Sequence, residues 1–257
     1  MKALRLDESP VPGKPLGRHV LHDPHNRDFP ALEAIYALVS SGVAFGNPPP
    51  KKRGMRAWYR RSVWDQNTPG VWNGWTAESS CTIQGTAGAL VTNPFTKFVD
   101  IRDRGLIYSP RWRYEAYRLA QRLDPWSGEE PVYYGSSGLA ACKALVSLGV
   151  VPPGWKYRWA FGGDEMLEAL EFGPLSVGTY WPEGFDHPDQ YGRVKPTGED
   201  RGGHQYEVID YEEAEDLVIC LNSWGRGYAR NGRFAVDRRE FFGLLERDGD
   251  VNIWVPI

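Results

Sequence analysis

Three residue types, far apart in this chain, add up to a thiol chemistry. Gly202-Gly203-His204 stands eighteen residues before the asparagine of Asn222-Ser223-Trp224-Gly225. An imidazole on one strand and an amide at the end of a later one are a base and the group that orients it. The nucleophile for such a pair lies upstream, in Ser79-Ser80-Cys81-Thr82. A sulfur at a helix N-terminus feels the positive end of the helix dipole, and a nearby imidazolium lowers its pKa further. Thiolate attack on a carbonyl, with His204 carrying the proton, is the chemistry these types support.

The competing residues carry less. Cys142 lies in an apolar helical pattern and Cys220 in an apolar strand pattern, so both read as buried thiols. Three cysteines at unrelated spacings fit neither a disulfide framework nor a zinc cluster. His19, His22 and His25 are spaced by three, but Asp23-Pro24 breaks any helix between them and no matching ligand set is visible, so no metal site is expected.

The elements that must position Cys81, His204 and Asn222 follow from periodicity. Cys81 to Val91 reads as a helix of small residues with Ser79 or Ser80 as its N-cap. Gly85 and Gly88 weaken helix propensity, which predicts close packing of that helix on a neighbour. Tyr114–Leu123 is amphipathic, Ser136 and Ser137 cap a helix from Gly138 to Leu148, and a short helix runs from Gly163 to Phe172. After Gly173-Pro174 the period changes to two. Leu175–Trp181, Gln205–Tyr211, Leu217–Leu221 and Gly232–Val236 read as strands. Helices first and strands after is an α+β order. Before all of this, residues 1–57 are rich in proline and charge, with one helical pattern from Phe29 to Val43 and a stiff basic run, Asn47-Pro48-Pro49-Pro50-Lys51-Lys52-Arg53.

A chain of 257 residues with 41% hydrophobic content and a net charge of −3 can bury a large core and implies no polyanion partner. Its 11 Trp and 13 Tyr suit large contact surfaces as well as a Gly/Pro-rich interior. No apolar run approaches the roughly 20 residues that span a bilayer. The N-terminus turns acidic at Asp7-Glu8, before a signal-peptide core has formed.

The order Cys81, His204, Asn222 and the string Asn222-Ser223-Trp224-Gly225, followed by Arg226 to Phe234, resemble the papain-like cysteine peptidases. Leu123–Glu129, Tyr134–Ser137, Tyr157–Phe161 and Gly173–Gly178 recur in that order in the phage and bacterial variants, so the resemblance covers roughly residues 60–250. It implies an α+β fold of two halves, one helical with the nucleophile and one an antiparallel sheet with the histidine and asparagine. It also implies Cys81 as nucleophile, His204 as base, Asn222 as its orienter and Trp224 as the shield of their hydrogen bond. The family places a glutamine of the oxyanion hole six residues before the cysteine, and Trp75 stands there. The nearest Asp-Gln, Asp65-Gln66, lies fifteen residues upstream of Cys81. Three accounts stay open: the Trp75 indole N–H substitutes as donor, Asn73 reaches in through a longer loop, or the hole is incomplete at a cost of about 10²–10³ in rate.

These readings together give expectations for the whole chain. Residues 58–257 form the catalytic domain, and residues 1–57 are a pro-segment-like strap or extension that is retained. The activity is peptide-bond hydrolysis without a cofactor, on a peptide or protein substrate. The alternatives are a catalytically weak structural or binding component of a phage particle, with other phage structural proteins as partners, and a peptidoglycan or isopeptide hydrolase. Neither nucleic acid nor membrane is an expected partner. The compartment is the host cytoplasm or the phage particle.

Overall fold

The computed structural model of the chain describes residues 16–18, 24–40, 58–60, 62–66, 79–124 and 135–256. Among them are seven α-helices: α1 (Ala31–Ser40), α2 (Cys81–Val91), α3 (Ile101–Tyr108), α4 (Pro110–Leu123), α5 (Gly138–Ser147), α6 (Gly162–Leu170) and α7 (Arg238–Leu245). Six strands, β1 (Trp155–Ala160), β2 (Leu175–Pro182), β3 (Asp200–Glu212), β4 (Leu217–Leu221), β5 (Arg233–Asp237) and β6 (Asp250–Pro256), make one sheet in the order β1-β6-β2-β3-β4-β5. Every pairing in it is antiparallel. The α+β arrangement expected from the order of the elements is therefore the one adopted.

Helix α2 is the central element, with all eleven of its residues buried. A helix buried all round needs small side chains to approach a sheet, and its glycines provide this. A Cβ on Gly88 would lie 2.2 Å from Glu207 Oε1, and one on Gly85 would lie 3.2 Å from Gln205 Cγ. Strand periodicity sends Gln205 and Glu207 to the α2 face and His204 and Tyr206 to the other. On that other face Tyr206 stacks edge-on against Phe234 and Phe241. Beneath the start of α2, the Gln205 amide donates to Ser176 Oγ at 2.6 Å and to Thr86 Oγ1 at 3.2 Å, tying helix to sheet through polar groups.

Caps follow the sequence with one change. Ser137 caps α5 by accepting from Ala140 N–H at 3.1 Å, and the Ser136 hydroxyl donates instead to Asp124 Oδ2. Ser80 holds the N-cap position of α2, yet its hydroxyl makes no backbone cap and accepts from the Gln84 amide at 3.0 Å. The Ser80 hydroxyl therefore does not cap the helix. Four elements were not read from the sequence: α3, α7, β1 and β6. Helix α3 buries one residue, Ile107, so it has no apolar stripe to detect. Strand β6 pairs with both β1 and β2 and is buried on both faces, which removes the alternation that marks a strand.

The N-terminal region packs on this body. Leu16, Ala31 and Ile35 belong to the same buried cluster as Trp159, Trp181 and Trp254. No helix among the described residues is long and apolar enough to cross a membrane.

Candidate active site

Cys81 is the first residue of α2 and is fully buried. Its sulfur lies beside the backbone N–H of Gln205, the residue after His204 on β3. Burial pushes the thiol up to about 12, although the Gln205 backbone, the Arg18 charge and the N–H groups of Thr82 and Cys81 itself all pull it down. Cys142 and Cys220 are buried thiols, as their patterns implied.

His204 and Asn222 meet directly, with Nε2 2.8 Å from Asn222 Oδ1. The Ser223 backbone N–H donates to the same oxygen at 2.7 Å, which fixes the amide with its oxygen toward the ring. An amide oxygen can only accept, so Nε2 carries the proton and Nδ1 of the neutral ring is an acceptor. Nδ1 is buried without a hydrogen-bond partner. Such an orphaned acceptor is costly unless its partner is the group it is there to deprotonate.

The ring is boxed by aromatics. Trp224 lies 4.8 Å from it and Trp181 lies 4.7 Å away edge-on. Trp224 therefore sits where a shield of the His204–Asn222 bond must sit. Trp181 is fully buried against the imidazole, and its indole N–H donates to Asp186 Oδ1 at 3.1 Å. Tyr228 closes the far side of Trp224 at 5.1 Å.

Burial lowers the His204 imidazole to about 3, an effect that Arg201 reinforces and the Asn222 bond opposes. At neutral pH the folded site holds a thiol and a neutral imidazole. Because the unfolded ring titrates near 6.5, the unfolded chain binds the extra proton between pH 6.5 and about 3. Stability from this group is full above pH 6.5 and falls as the pH drops, by up to about 1.4 kcal/mol per pH unit. Thermal unfolding followed between pH 7 and 4 should show a steeper loss for the native chain than for His204→Gln. Asp210, raised to about 6 by burial, works in the opposite sense and is common to both chains.

The oxyanion candidates read from the sequence are not tested by the described residues. Trp75 and Asn73 lie outside the described residues. Gln66 is buried beside Ser223, the residue after Asn222: its backbone N–H bonds Ser223 O at 2.9 Å and its Oε1 accepts from Ser223 Oγ at 2.5 Å. Asp65 forms an antiparallel bridge with Trp224, and Gly225 N–H donates to Trp64 O. Fourteen residues, 67–80, separate Gln66 from Cys81 in the chain.

A second feature was not foreseen in this form. Leu16–Arg18 runs through the site as extended chain. The N–H groups of Gly17 and Arg18 reach Gly203 O at 3.2 and 3.0 Å, and Ser136 N–H reaches Gly17 O at 2.9 Å. A Cβ on Gly17 would lie 2.0 Å from Ser79 O, so glycine alone fits there. Gly203 precedes His204 and Ser79 precedes Cys81 by two, so this strap covers both.

No family model and no curated protein matches the chain. Among solved structures, it is similar to xylellain, a cysteine protease from Xylella fastidiosa, at a TM-score of 0.57 and 16% identity, over 100% of this chain and 98% of that one. A cysteine protease from Carica candamarcensis aligns with a TM-score of 0.46 and 15% identity, over 76% of this chain and 92% of its own. Procathepsin B from Trypanosoma congolense aligns at 0.48 and 12%, over 77% and 72%. The chain has the fold of the papain-like cysteine peptidases.

Proposed function

We propose that the chain is a cysteine peptidase whose Cys81, His204 and Asn222 act as nucleophile, base and orienter. The observation that carries this is the His204–Asn222 pair at 2.8 Å, with Nδ1 of the same ring left as an unpartnered buried acceptor and the Cys81 sulfur beside the backbone N–H of the next residue, Gln205. In the reaction Nδ1 takes the Cys81 thiol proton as sulfur attacks the scissile carbonyl. The imidazolium returns that proton to the leaving amine, which departs as the thioester forms. Water, deprotonated by the same nitrogen, then attacks the thioester, and its breakdown releases the acid and the thiol. The oxyanion is met by the Cys81 backbone N–H, freed by its place at the start of α2, and by the side-chain amide of Gln66.

The strap explains the resting state. With Leu16–Arg18 seated, water is excluded and both reacting groups are neutral. When it leaves, rehydration and the helix dipole favour the thiolate–imidazolium form. Gly17→Leu cannot seat the strap, so this variant of the full chain should react at Cys81 with an epoxide-type thiol inhibitor. Adding Cys81→Ala should abolish the labelling, and Cys142 and Cys220 should stay unmodified. A folded Gly17→Leu chain that takes up no label and cleaves no peptide would sink the peptidase reading.

A further inference from the structure

The strap does more than cover the site, because its one long side chain enters a pocket built for it. Arg18 is fully buried. Its Nε donates to Asp250 Oδ1 at 3.2 Å, and its Nη2 donates to the carbonyl oxygen of Asp248. Two glycines clear the way. A Cβ on Gly178 would lie 2.1 Å from Arg18 Nε and 2.3 Å from Asp250 Oδ1, and one on Gly138 would lie 2.8 Å from Asp250 Oδ2. Asp248 holds φ at +56°, the left-handed region, as its carbonyl caps the guanidinium.

This pocket is placed by the same elements that place the catalytic residues. Gly178 on β2 pairs with Gln205, whose N–H adjoins the Cys81 sulfur, and also with Asp250 on β6. Gly138 opens α5, two residues after the Ser136 that binds the strap backbone. A peptide reaching Cys81 must lie along Gly203 and Ser136, and a side chain one position from its close approach to Ser79 then meets Asp250. A lone buried carboxylate is expensive, so a site that empties and refills is matched to a cationic side chain, and the donors of arginine fit a carboxylate and a carbonyl together.

We infer that Asp250 floors a specificity subsite for an arginine-type side chain adjacent to glycine, and that Leu16–Arg18 occupies it as an intramolecular mimic of the substrate. This rests on the peptidase reading for its meaning, and it is tested by binding rather than by turnover. The full chain carrying Gly17→Leu and Arg18→Ala, whose strap can neither seat nor fill the pocket, is titrated calorimetrically with blocked Leu-Gly-Arg and Leu-Gly-Leu peptides. The arginine peptide should bind at least about thirtyfold more tightly, and adding Asp250→Asn should erase the difference. The native chain should bind neither. Equal affinity for the two peptides, a preference that survives Asp250→Asn, or no binding to the folded double variant would each overturn the assignment. Preferential binding of the arginine peptide by a chain that hydrolyses nothing would leave the subsite standing and remove the peptidase reading. Hydrolysis indifferent to arginine would do the reverse.

Discussion

In the Gly17→Leu background, His204→Ala should lower kcat/KM for peptide hydrolysis by about 10⁴–10⁶ without unfolding the chain. The ring is held by Asn222 through Nε2, and its Nδ1 is a buried acceptor without a partner. Alanine removes both the thiol's base and the leaving group's acid, two proton transfers that a single imidazole performs. Combining His204→Ala with Cys81→Ala should cost little beyond either alone, because residues that act as a unit lose their shared function once. Asn222→Ala should cost less than His204→Ala, since it releases the ring's orientation and tautomer while leaving the base in place. Peptide cleavage by a folded His204→Ala chain within about tenfold of its parent would rule out the role of His204.

The second large effect lies under the site. Arg60 and Glu207 form an ion pair whose side chains are 1% and 2% exposed, with Thr92 Oγ1 donating to the other carboxylate oxygen at 2.8 Å. Arg60 also stacks 3.9 Å over Trp64, two residues before Gln66. Burial already raises the Glu207 carboxyl, and Arg60 and Thr92 hold it down. Arg60→Met strips the charge partner and should destabilise the fold by about 3–5 kcal/mol in denaturant titrations at neutral pH. The loss should shrink on acidification, because a raised folded pKa means the native state regains stability as Glu207 takes up a proton. Adding Glu207→Gln should recover part of it, since a neutral buried amide costs less than an unpaired charge. A folded Arg60→Met chain as stable as the native one would show that the pair contributes nothing.

Much of the frame was legible because its signals are local. The small-residue run from Cys81 to Val91 became α2 with those boundaries, and Gly88 does face a close neighbour. Strand β4 spans Leu217–Leu221 as its alternation implied, and α5 is capped by Ser137. Helix α3 and strand β6 escaped for the opposite reason. One buries almost nothing and the other buries everything, so neither carries a period. Tyr180 and Trp181 lay together in the sequence, but burial against His204 belongs to Trp181 alone.

The sequence by itself determined the candidates for the chemistry and their order: a cysteine opening a helix, a histidine after two glycines, and an asparagine ahead of a tryptophan. Those signals survive without a structure because each is a short string with its own local backbone requirement. Three things were decided only by the tertiary structure. Gln66, separated from Cys81 by residues 67–80, bonds Ser223, more than 150 residues away in the chain. Gly17 and Arg18 fill the cleft through backbone bonds to Gly203 and Ser136. Asp250 meets Arg18 because β6 lies beside β2 in the sheet. Each depends on long-range packing and strand order, which no local periodicity encodes, because a backbone hydrogen bond or a buried ion pair has no spacing until the chain has closed around it.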